Sequence, residues 1–553
     1  MLRVAEMMVC NAGVWSDGGR VSGADTIAIA GGRVLAVGRA AELEALAAPD
    51  TRRLDAGGAT VTPGLTDAHI HLLPWSRERA EVSLLGATSR AAALERVARF
   101  LAAHPGSGPM LGRGWAADGW NERPDRAALD RVSGARPLLL HSKDFHALWV
   151  NSAALERAGV GRATRPPAGG AIERDGAGEP SGIVRENAVG LFAALEDEAV
   201  AAAGAESERL AAAARGLHAH GITAIHDFER GPAALRAMRG FATGAGPRLR
   251  VLQCLGAGEL GHAIAAGLGS GLGDDRFRLG ALKLFADGTL GSRTAAMLAP
   301  YDDTDGAGVD TLAPAELRAR VAEAFQGGVS VAIHAIGDRA CRHALDAIEA
   351  AGAWRGRVPF APRIEHAQLV DPADMPRFAT LGVAAGMQPL HCVADIEHAR
   401  RGWGSRAERS YPWRSLIESG ATLLFGSDAP VESPAVAPAL RAALCRQRED
   451  GWPEGGFAAS ERIGLDQALA AYTVAPAQLA GAWPRLGSLR AGAAADVVVW
   501  NVDLHALAPA ELDRARPRWT LMDGEIVHEA PAGSDRPASP AARGERAASA
   551  SRS

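Results

Sequence analysis

Between residues 59 and 485, short apolar runs of strand length alternate with stretches of helical pattern. This alternation is typical of repeated βα units, in which parallel strands form a sheet that helices cover. Eight such units close into a (β/α)8 barrel, with its chemistry at the carboxyl ends of the strands. The sequence therefore predicts an α/β protein with a TIM-like barrel. The eight predicted strands are Ala59 to Thr66, Thr223 to Phe228, Arg248 to Leu255, Leu279 to Ala286, Ser330 to Ala335, Pro362 to Ala367, Val383 to Gln388 and Thr422 to Ser427.

Strand-rich segments flank this alternation on both sides. Gly31 and Gly32 separate two β-rich runs near the N-terminus, and Asp523 and Gly524 do so near the other end, as in hairpins. The first connection of the barrel is too long for a βα loop and predicts structure of its own. The final residues lack large apolar side chains and predict disorder. The predicted boundaries are 1–58 and 486–530 for one composite β-sandwich domain, 59–485 for the barrel, about 75–215 for a subdomain inserted after strand 1, and 531–553 for a disordered tail.

The composition limits the class of protein. Hydrophobic residues make up 47% and charged residues 22%, and the net charge of -5 gives no basic field for nucleic acid. The 5 cysteines are scattered, which argues against a disulfide framework and favours a reducing cytoplasm. No apolar run approaches the length of a membrane span. We expect a cytoplasmic protein whose partner is a small molecule, without nucleic acid or membrane, and the sequence leaves a homo-oligomer open.

Two histidines, His69 and His71, end the apolar stretch that begins at Val61. Side chains at i and i+2 of a strand point to the same face, so both imidazoles aim at one point. Neutral imidazole is a common ligand of catalytic zinc. The pair alone is weak evidence, because His218 and His220 show the same spacing after an alanine-rich run that predicts a helix, where i and i+2 do not face each other.

Further residues of metal-ligand type stand in or at the end of other predicted strands. They are Lys283, His334, His366 and Asp428. Each alone has an ordinary explanation, since a strand-end histidine can be a core group with its hydrogen bonds satisfied and Asp428 can cap a helix. Together with the first pair, however, six such residues fall at the ends of five strands. This convergence predicts a metal site at one end of the barrel.

These motifs resemble those of the amidohydrolase superfamily, and within it the family 3 branch that includes the YtcJ-like proteins and N-substituted formamide deformylase. The resemblance covers nearly the whole chain, in the order of the family. The motifs are PGLTDAHIH (63–71), LKLFADGTLGSRTA (282–295), IHAIGDRA (333–340), RIEHAQ (363–368), GSDAPV (426–431) and GSLRAGAAADVVVW (487–500), with HSKDFHALWVNSAAL (141–155) and PSGIVRENA (180–188) inside the insertion.

The resemblance implies a hydrolase that depends on a divalent metal, with zinc as the expected ion. Whether one or two ions bind stays open. Lys283 would match a lysine that such enzymes carry as a carbamate, because an anionic oxygen donor can bridge two cations whereas an ammonium is repelled. The alternative for Lys283 is an ion pair with Asp287. The implied ligands are His69 and His71 for one metal, His334 and His366 for a second, Lys283 between them, and Asp428 for the first.

The resemblance also implies the reaction. A metal-activated hydroxide attacks the carbonyl of a non-peptide amide, and Asp428 acts as general acid and base between the water and the leaving nitrogen. Linear amides such as N-substituted formamides are the leading substrate class. The alternatives are a cyclic amide or N-acyl amino acid hydrolase, and a catalytically silent relative that keeps the barrel as a scaffold. Every expected ligand position is filled, which disfavours the silent relative.

Four residues are weaker candidates for contact with the substrate. Arg293 could anchor a substrate oxygen or carboxylate, and its alternative is a solvated loop arginine. Trp115 and His146 come from the insertion, which would shape specificity if it covered the mouth of the barrel; a structural role is the alternative for each. Asp287 follows the strand of Lys283 closely enough to line the same site.

Overall fold

The computed structural model describes residues 4–77, 81–117, 120–143, 145–202 and 205–531. The chain forms two compact units, one from residues 1–72 and 213–553 and the other from residues 73–212. No helix among the described residues is long and apolar enough to cross a membrane. The predicted tail, 531–553, lies outside the described residues except for Pro531.

Eight parallel strands form one sheet, in which each strand pairs with its neighbours in chain order. The last strand meets the first through a parallel bridge between Ile70 and Ala429, and the Asp428 N–H donates to the His69 carbonyl at 2.7 Å. The predicted TIM-like (β/α)8 barrel is confirmed. Its strands are β1 (Leu65–Ile70), β2 (Ile222–Asp227), β3 (Arg250–Leu255), β4 (Phe277–Phe285), β5 (Val331–Ala335), β6 (Arg363–His366), β7 (Ala384–Met387) and β8 (Thr422–Phe425).

The predicted first strand, Ala59 to Thr66, is wrong as a single strand. It is two strands separated by Gly64: Thr60–Pro63 pairs outside the barrel, and β1 begins at Leu65. A Cβ at Gly64 would lie 2.3 Å from the Thr223 hydroxyl, so the chain can pass this point only without a side chain. Every residue of both strands is buried, and for this reason no change from buried to exposed positions marks the break.

Two further sheets pack together as a β-sandwich in the same unit. Their common core contains residues from both ends of the chain, among them Val9, Ile27, Val497 and Trp519. Both predicted hairpins are present. The exact domain boundaries stay predictions. One sheet has the order Arg33–Gly38, Thr26–Ala30, Ala5–Cys10, Ala47–Asp55, and the other Glu525–Glu529, Pro517–Met522, Val497–Trp500, Thr60–Pro63, Gly13–Ser16, Gly19–Arg20.

Helices follow the barrel strands; most bury one side, and Val436–Cys445 is buried nearly all round. Asp338–Ala350, after β5, buries Cys341, Leu345 and Ile348 at helical spacing. This side covers the barrel while polar residues occupy the other. The helices of this unit after β1 are Glu206–Ala219, Pro232–Thr243, Leu260–Ala265, Pro314–Gln326, Asp338–Ala350, Met375–Thr380, Pro389–Ala394, Ile396–Trp403, Trp413–Glu418, Val436–Cys445, Leu465–Tyr472 and Val474–Leu479; Ala40–Leu43 precedes it.

The second unit follows β1 in the chain and has a mixed six-stranded sheet with its own buried clusters. Asn151 illustrates its internal order: the side chain caps a helix through the Ala154 N–H at 3.0 Å and also accepts from the Leu138 N–H at 3.0 Å. The strand order is Gly170–Arg174, Pro180–Glu186, Ala147–Val150, Leu138–Ser142, Met110–Trp115, Val82–Ser83, and the helices are Leu72–Ser76, at the start of the unit, Arg90–Ala103, Arg126–Ser133, Ser152–Arg157 and Ala193–Ala202.

Candidate metal centre

His69, His366 and Asp428 lie together inside the barrel. One potential ligand atom from each residue lies within 4.8 Å of the other two, and all three residues are buried. The Nε2 atom of His69 is 3.4 Å from Oδ1 of Asp428. Two imidazole nitrogens and a carboxylate oxygen are the donors that zinc and similar divalent cations prefer. The residues therefore fit a metal ion, with one member drawn from each of the two predicted histidine pairs.

His71 reaches the same carboxylate from the end of β1. Its Nε2 lies 3.3 Å from Asp428 Oδ1, the atom that His69 also faces. The i and i+2 spacing thus brings both imidazoles to one oxygen, as their position on a strand requires. His71 itself follows Ile70, the last residue of the strand, and is partly exposed where His69 is buried.

Each of the imidazoles of His69, His71 and His366 has an oxygen atom near Nδ1. An acceptor at this position holds the ring proton on Nδ1 and leaves the Nε2 lone pair for a metal. The three acceptors are Glu365 Oε2 at 2.6 Å from His69, Glu229 Oε2 at 3.3 Å from His71, and Gln388 Oε1 at 2.8 Å from His366. This second layer of contacts is the arrangement that orients metal-binding histidines in other proteins.

The Glu365 carboxylate is itself paired inside the barrel. Arg363, two residues earlier on β6, contacts both of its oxygens, with Nη2 at 3.0 Å from Oε2. The same guanidinium donates to the Ala68 carbonyl at 2.8 Å and lies 3.0 Å from Nδ1 of His226. Buried charges are tolerated when they are paired and hydrogen-bonded. Arg363 therefore compensates the charge that Glu365 places behind His69.

Protonation states follow from burial and from neighbouring charges. Burial lowers the pKa of His69 and of His366 well below the usual range. Burial alone would raise the pKa of Asp428, but the neighbouring His69 and His71 hold it well below the usual value. Burial likewise opposes the charged form of His71, yet Asp428 and Glu229 outweigh it and raise the pKa of His71 to about 9. Metal binding at His71 would therefore release a proton.

Lys283 projects from β4 into the barrel interior and is buried. Its Nζ lies 4.7 Å from the ring centre of Phe228 and 5.0 Å from that of Phe285. Burial lowers the pKa of Lys283 to about 8, against the opposing effect of Glu365 and Asp428. The charges of Glu365 and Asp428 therefore act on the Lys283 amine, and its role as a metal ligand stays a prediction.

His334 and Asp287 are near the cluster but turned to other partners. The His334 ring centre is 4.5 Å from that of His366, whereas its Nε2 lies 3.0 Å from the Gly288 carbonyl and 3.6 Å from Asp287 Oδ1. Burial raises the pKa of Asp287 to about 7. The roles of His334 as a ligand and of Asp287 in substrate binding stay predictions. The Asp287 carboxylate accepts from the backbone N–H groups of Ala296, Ile336 and Gly337.

Arg293, Trp115 and His146 each have other contacts in the protein, and their roles in substrate binding stay predictions. All three guanidinium nitrogens of Arg293 have partners in the protein, at the Asp303 carboxylate and the Leu290 carbonyl, and this fits a loop-fixing role. Trp115 and His146 belong to the second unit. Trp115 is buried and its indole N–H donates to the Leu140 carbonyl at 2.7 Å, and His146 Nδ1 is 2.9 Å from Glu186 Oε2.

The sequence patterns also missed residues that the structure brings to the site. Glu365, Glu229 and Gln388 face the ligand imidazoles, and His391 faces Asp428, with Nε2 at 3.9 Å from Oδ2. A signal was available, because each lies in a barrel strand or within four residues after one, where a buried polar residue requires a hydrogen-bond partner. The carboxyl end of β7 in particular had no predicted site residue.

Two of the cluster residues have a backbone conformation that is unusual for a side chain other than glycine. The φ angle is +73° at His366 and +58° at Asp428, both in the left-handed region. Such conformations cost energy and persist where the surrounding structure holds them, often at functional sites. His366 is the last residue of β6, and Asp428 lies three residues after the end of β8.

Comparison with known proteins identifies the family of this chain. A family model described as the amidohydrolase family matches residues 52–528, most of the chain. The chain belongs to the amidohydrolase family. It is a metal-dependent hydrolase that acts on carbon–nitrogen bonds other than peptide bonds, and the resemblance seen in the sequence motifs is confirmed.

Relatives of this amidohydrolase extend over nearly its whole length. The putative amidohydrolase YtcJ of Bacillus subtilis is 30% identical over 496 residues, which are 88% of this chain and 92% of YtcJ. N-substituted formamide deformylase of Arthrobacter pascens is 29% identical over 545 residues, 96% of this chain and 99% of the deformylase. Among solved structures, an uncharacterized metal-dependent hydrolase from Pyrococcus furiosus has a TM-score of 0.70 at 27% identity and covers 89% of this chain and 98% of its own.

Proposed function

We propose that this amidohydrolase hydrolyses the carbon–nitrogen bond of a small linear amide, with N-substituted formamides as the leading class. The observation that carries the proposal is the buried cluster of His69, His366 and Asp428, with His71 beside it. The similarity to N-substituted formamide deformylase over 96% of this chain supports the substrate class. A cyclic amide or an N-acyl amino acid is the alternative substrate.

The residues of the cluster would have different roles in hydrolysis. A divalent metal held by His69, His71, His366 and Asp428, with zinc as the proposed ion, would lower the pKa of a water and supply hydroxide near neutral pH. The ionised Asp428 presents Oδ1 to the imidazoles, so Oδ2 can take the proton of the attacking water. The same oxygen can return that proton to the leaving nitrogen. Glu365 keeps the His69 ring in place during these steps.

We also propose that Lys283 carries a carbamate. The support is its position on β4, where a buried ammonium would face any cation that the histidines bind. A carbamate replaces this positive charge with oxygen donors. Incubation with carbon-13 bicarbonate should give one carbamate signal by NMR that the Lys283→Met variant lacks, whereas an unlabelled wild-type protein would contradict the proposal.

The location and partners stay proposals as well. The 5 cysteines are free thiols, which supports a reducing cytoplasm. The net charge of -5 supports a small-molecule partner rather than nucleic acid.

The substrate class is tested with a panel of three compounds on the zinc-loaded protein: an N-alkyl formamide, a hydantoin and an N-acetyl amino acid. We expect the highest kcat/KM for the formamide, with formate as product, and loss of activity in the His69→Asn variant and after chelation. Faster hydrolysis of the hydantoin or the N-acetyl amino acid would favour the alternative. No hydrolysis of any amide by protein of full metal content would contradict the proposed function.

A further inference from the structure

His391 borders the metal centre, and the proposed ligand set does not use it. It lies in helix Pro389–Ala394, directly after β7, and its side chain is only 10% exposed. Its Nε2 is buried without a hydrogen-bond partner among the described residues. A buried polar group without a partner is destabilising. A polar ligand that accepts from this nitrogen would remove this destabilisation.

The carboxylate of Asp428 faces Nε2 of His391. Oδ1 of Asp428 faces His69 and His71, at 3.4 Å and 3.3 Å, whereas Oδ2 faces His391 Nε2 at 3.9 Å. This separation is too long for a hydrogen bond. It is short enough for one amide group to contact both residues, with its nitrogen near the carboxylate and its oxygen near the imidazole N–H.

The chain holds His391 in this place. Gln388, three residues earlier, contacts Nδ1 of His366 through Oε1 at 2.8 Å, and Pro389 opens the short helix that follows. The rings of His391 and His366 are nearly parallel, at 8°, with centres 6.1 Å apart. The segment from Gln388 to His391 therefore contacts the metal centre at one end and carries at the other an imidazole nitrogen that faces Asp428.

We propose that His391 donates a hydrogen bond from Nε2 to the carbonyl oxygen of the amide substrate, a role that rests on the proposed hydrolysis of linear amides. As the oxygen of water bonds to the carbonyl carbon, its proton moves to Asp428 and the π electrons of the carbonyl move to the oxygen that faces His391. Those electrons then re-form the carbonyl, the carbon–nitrogen bond breaks, and the proton on Asp428 passes to the leaving nitrogen. His391 keeps its own proton throughout.

The contribution of such a donor is largest in the transition state, where the oxygen carries the most negative charge. Removing one donor of this kind from an enzyme costs about 10²–10³ in kcat. His391→Leu removes the N–H at nearly constant volume, and His391→Gln retains an N–H at a similar distance from the backbone. The matched control is His398→Leu, because His398 is a half-buried histidine on the next helix, Ile396–Trp403.

The test compares these variants in three measurements: metal content, affinity for methylphosphonate by calorimetry, and kcat and KM on the formamide. Methylphosphonate is a small tetrahedral anion, and it reports on the oxygen site without turnover. We expect full metal content in every variant. His391→Leu should lower kcat by about 10²–10³ and weaken methylphosphonate binding by at least about tenfold, while His391→Gln recovers most of both and His398→Leu changes neither.

Two results would overturn the proposal. One is His391→Leu with full metal content and both kcat and methylphosphonate affinity within about threefold of wild type. The other is loss of metal in His391→Leu, since that would make His391 a ligand. If His391→Leu does not fold, His391→Met takes its place in the same comparison. If the wild-type protein binds methylphosphonate through His391 but hydrolyses no amide, the hydrogen bond from His391 stands and the proposed function is wrong. The two failures can therefore be distinguished.

Discussion

Glu365 Oε2 lies 2.6 Å from Nδ1 of His69, and both side chains are at most 1% exposed. Arg363 holds the other side of this carboxylate. A carboxylate behind a metal-binding histidine fixes the ring and makes Nε2 a better donor. The affinity for metal is therefore set partly by a residue that would not touch the metal.

Glu365→Gln should weaken metal binding by about 10–100-fold, because the amide keeps an acceptor near Nδ1 but removes the negative charge. The affinity is measured by competition with a chromophoric chelator. Glu229→Gln is the matched control: Glu229 is 3.3 Å from His71 and 28% exposed, so its loss should cost less than the loss of Glu365. Equal affinity in wild type and Glu365→Gln would show that the contact does not tune the metal.

Asp428→Asn should retain the fold and most of the metal but lose most of its turnover. The amide can still offer an oxygen to the site, whereas it cannot accept the proton of the attacking water. General acid–base groups contribute about 10²–10⁴ to the rate, and a fall in kcat of that size is expected. Metal analysis and kcat are measured on the same sample, and near-normal turnover in a metal-replete variant would remove Asp428 from the mechanism.

The barrel could be predicted from the sequence because each strand is a short apolar run with a helix after it, and seven of the eight predicted strands overlap an observed strand at nearly the same place. The first could not be divided correctly. Every residue of its two strands is buried, and the break at Gly64 depends on contact with Thr223, which is distant in the chain. Local pattern carries no information about such a contact.

Part of the candidate site could likewise be predicted from the sequence, and part could not. His69, His366 and Asp428 follow strand patterns closely, and the structure brings them together. The strand pattern does not indicate Glu365, because a polar residue inside an apolar strand has no periodic signature. Its role depends on its contact with the His69 ring, which belongs to another strand. Arg293 shows the limit of a local motif: its guanidinium contacts the Asp303 carboxylate, which the sequence does not indicate, and its role in substrate binding stays a prediction.

Gly64→Ala should destabilise the folded protein at the junction between the sandwich and the barrel. The added Cβ would lie 2.3 Å from Thr223 Oγ1, and overpacking of this kind costs about 1–3 kcal/mol. Gly19→Ala is the matched control, because a Cβ there meets nothing within 4 Å. Thermal unfolding should show a lower midpoint for Gly64→Ala only, and equal midpoints for the two variants would contradict the close approach.

His218 should make the free energy of unfolding depend on pH below neutral pH. It lies in helix Glu206–Ala219, Nε2 is 2.8 Å from the Arg248 carbonyl, and Nδ1 is buried without a partner among the described residues. Burial lowers the pKa of His218 to about 4, with His528 adding to the effect and Asp496 opposing it. In the unfolded chain the pKa of His218 is near 6.5, so below this pH the unfolded chain binds a proton at His218 that the folded chain does not. Stability is therefore lost as pH falls from about 6.5 towards 4.

The His218→Gln variant separates this effect from every other titration in the protein, because glutamine can still donate to the Arg248 carbonyl but does not ionise. A pKa difference of this size corresponds to roughly 3 kcal/mol when fully expressed. Between pH 7 and pH 4, wild type should therefore lose about 2–3 kcal/mol more stability than the variant, measured by denaturant unfolding at each pH. His262→Gln, at an exposed histidine, should follow wild type. Parallel pH curves for wild type and His218→Gln would mean that His218 is protonated in the folded protein without cost.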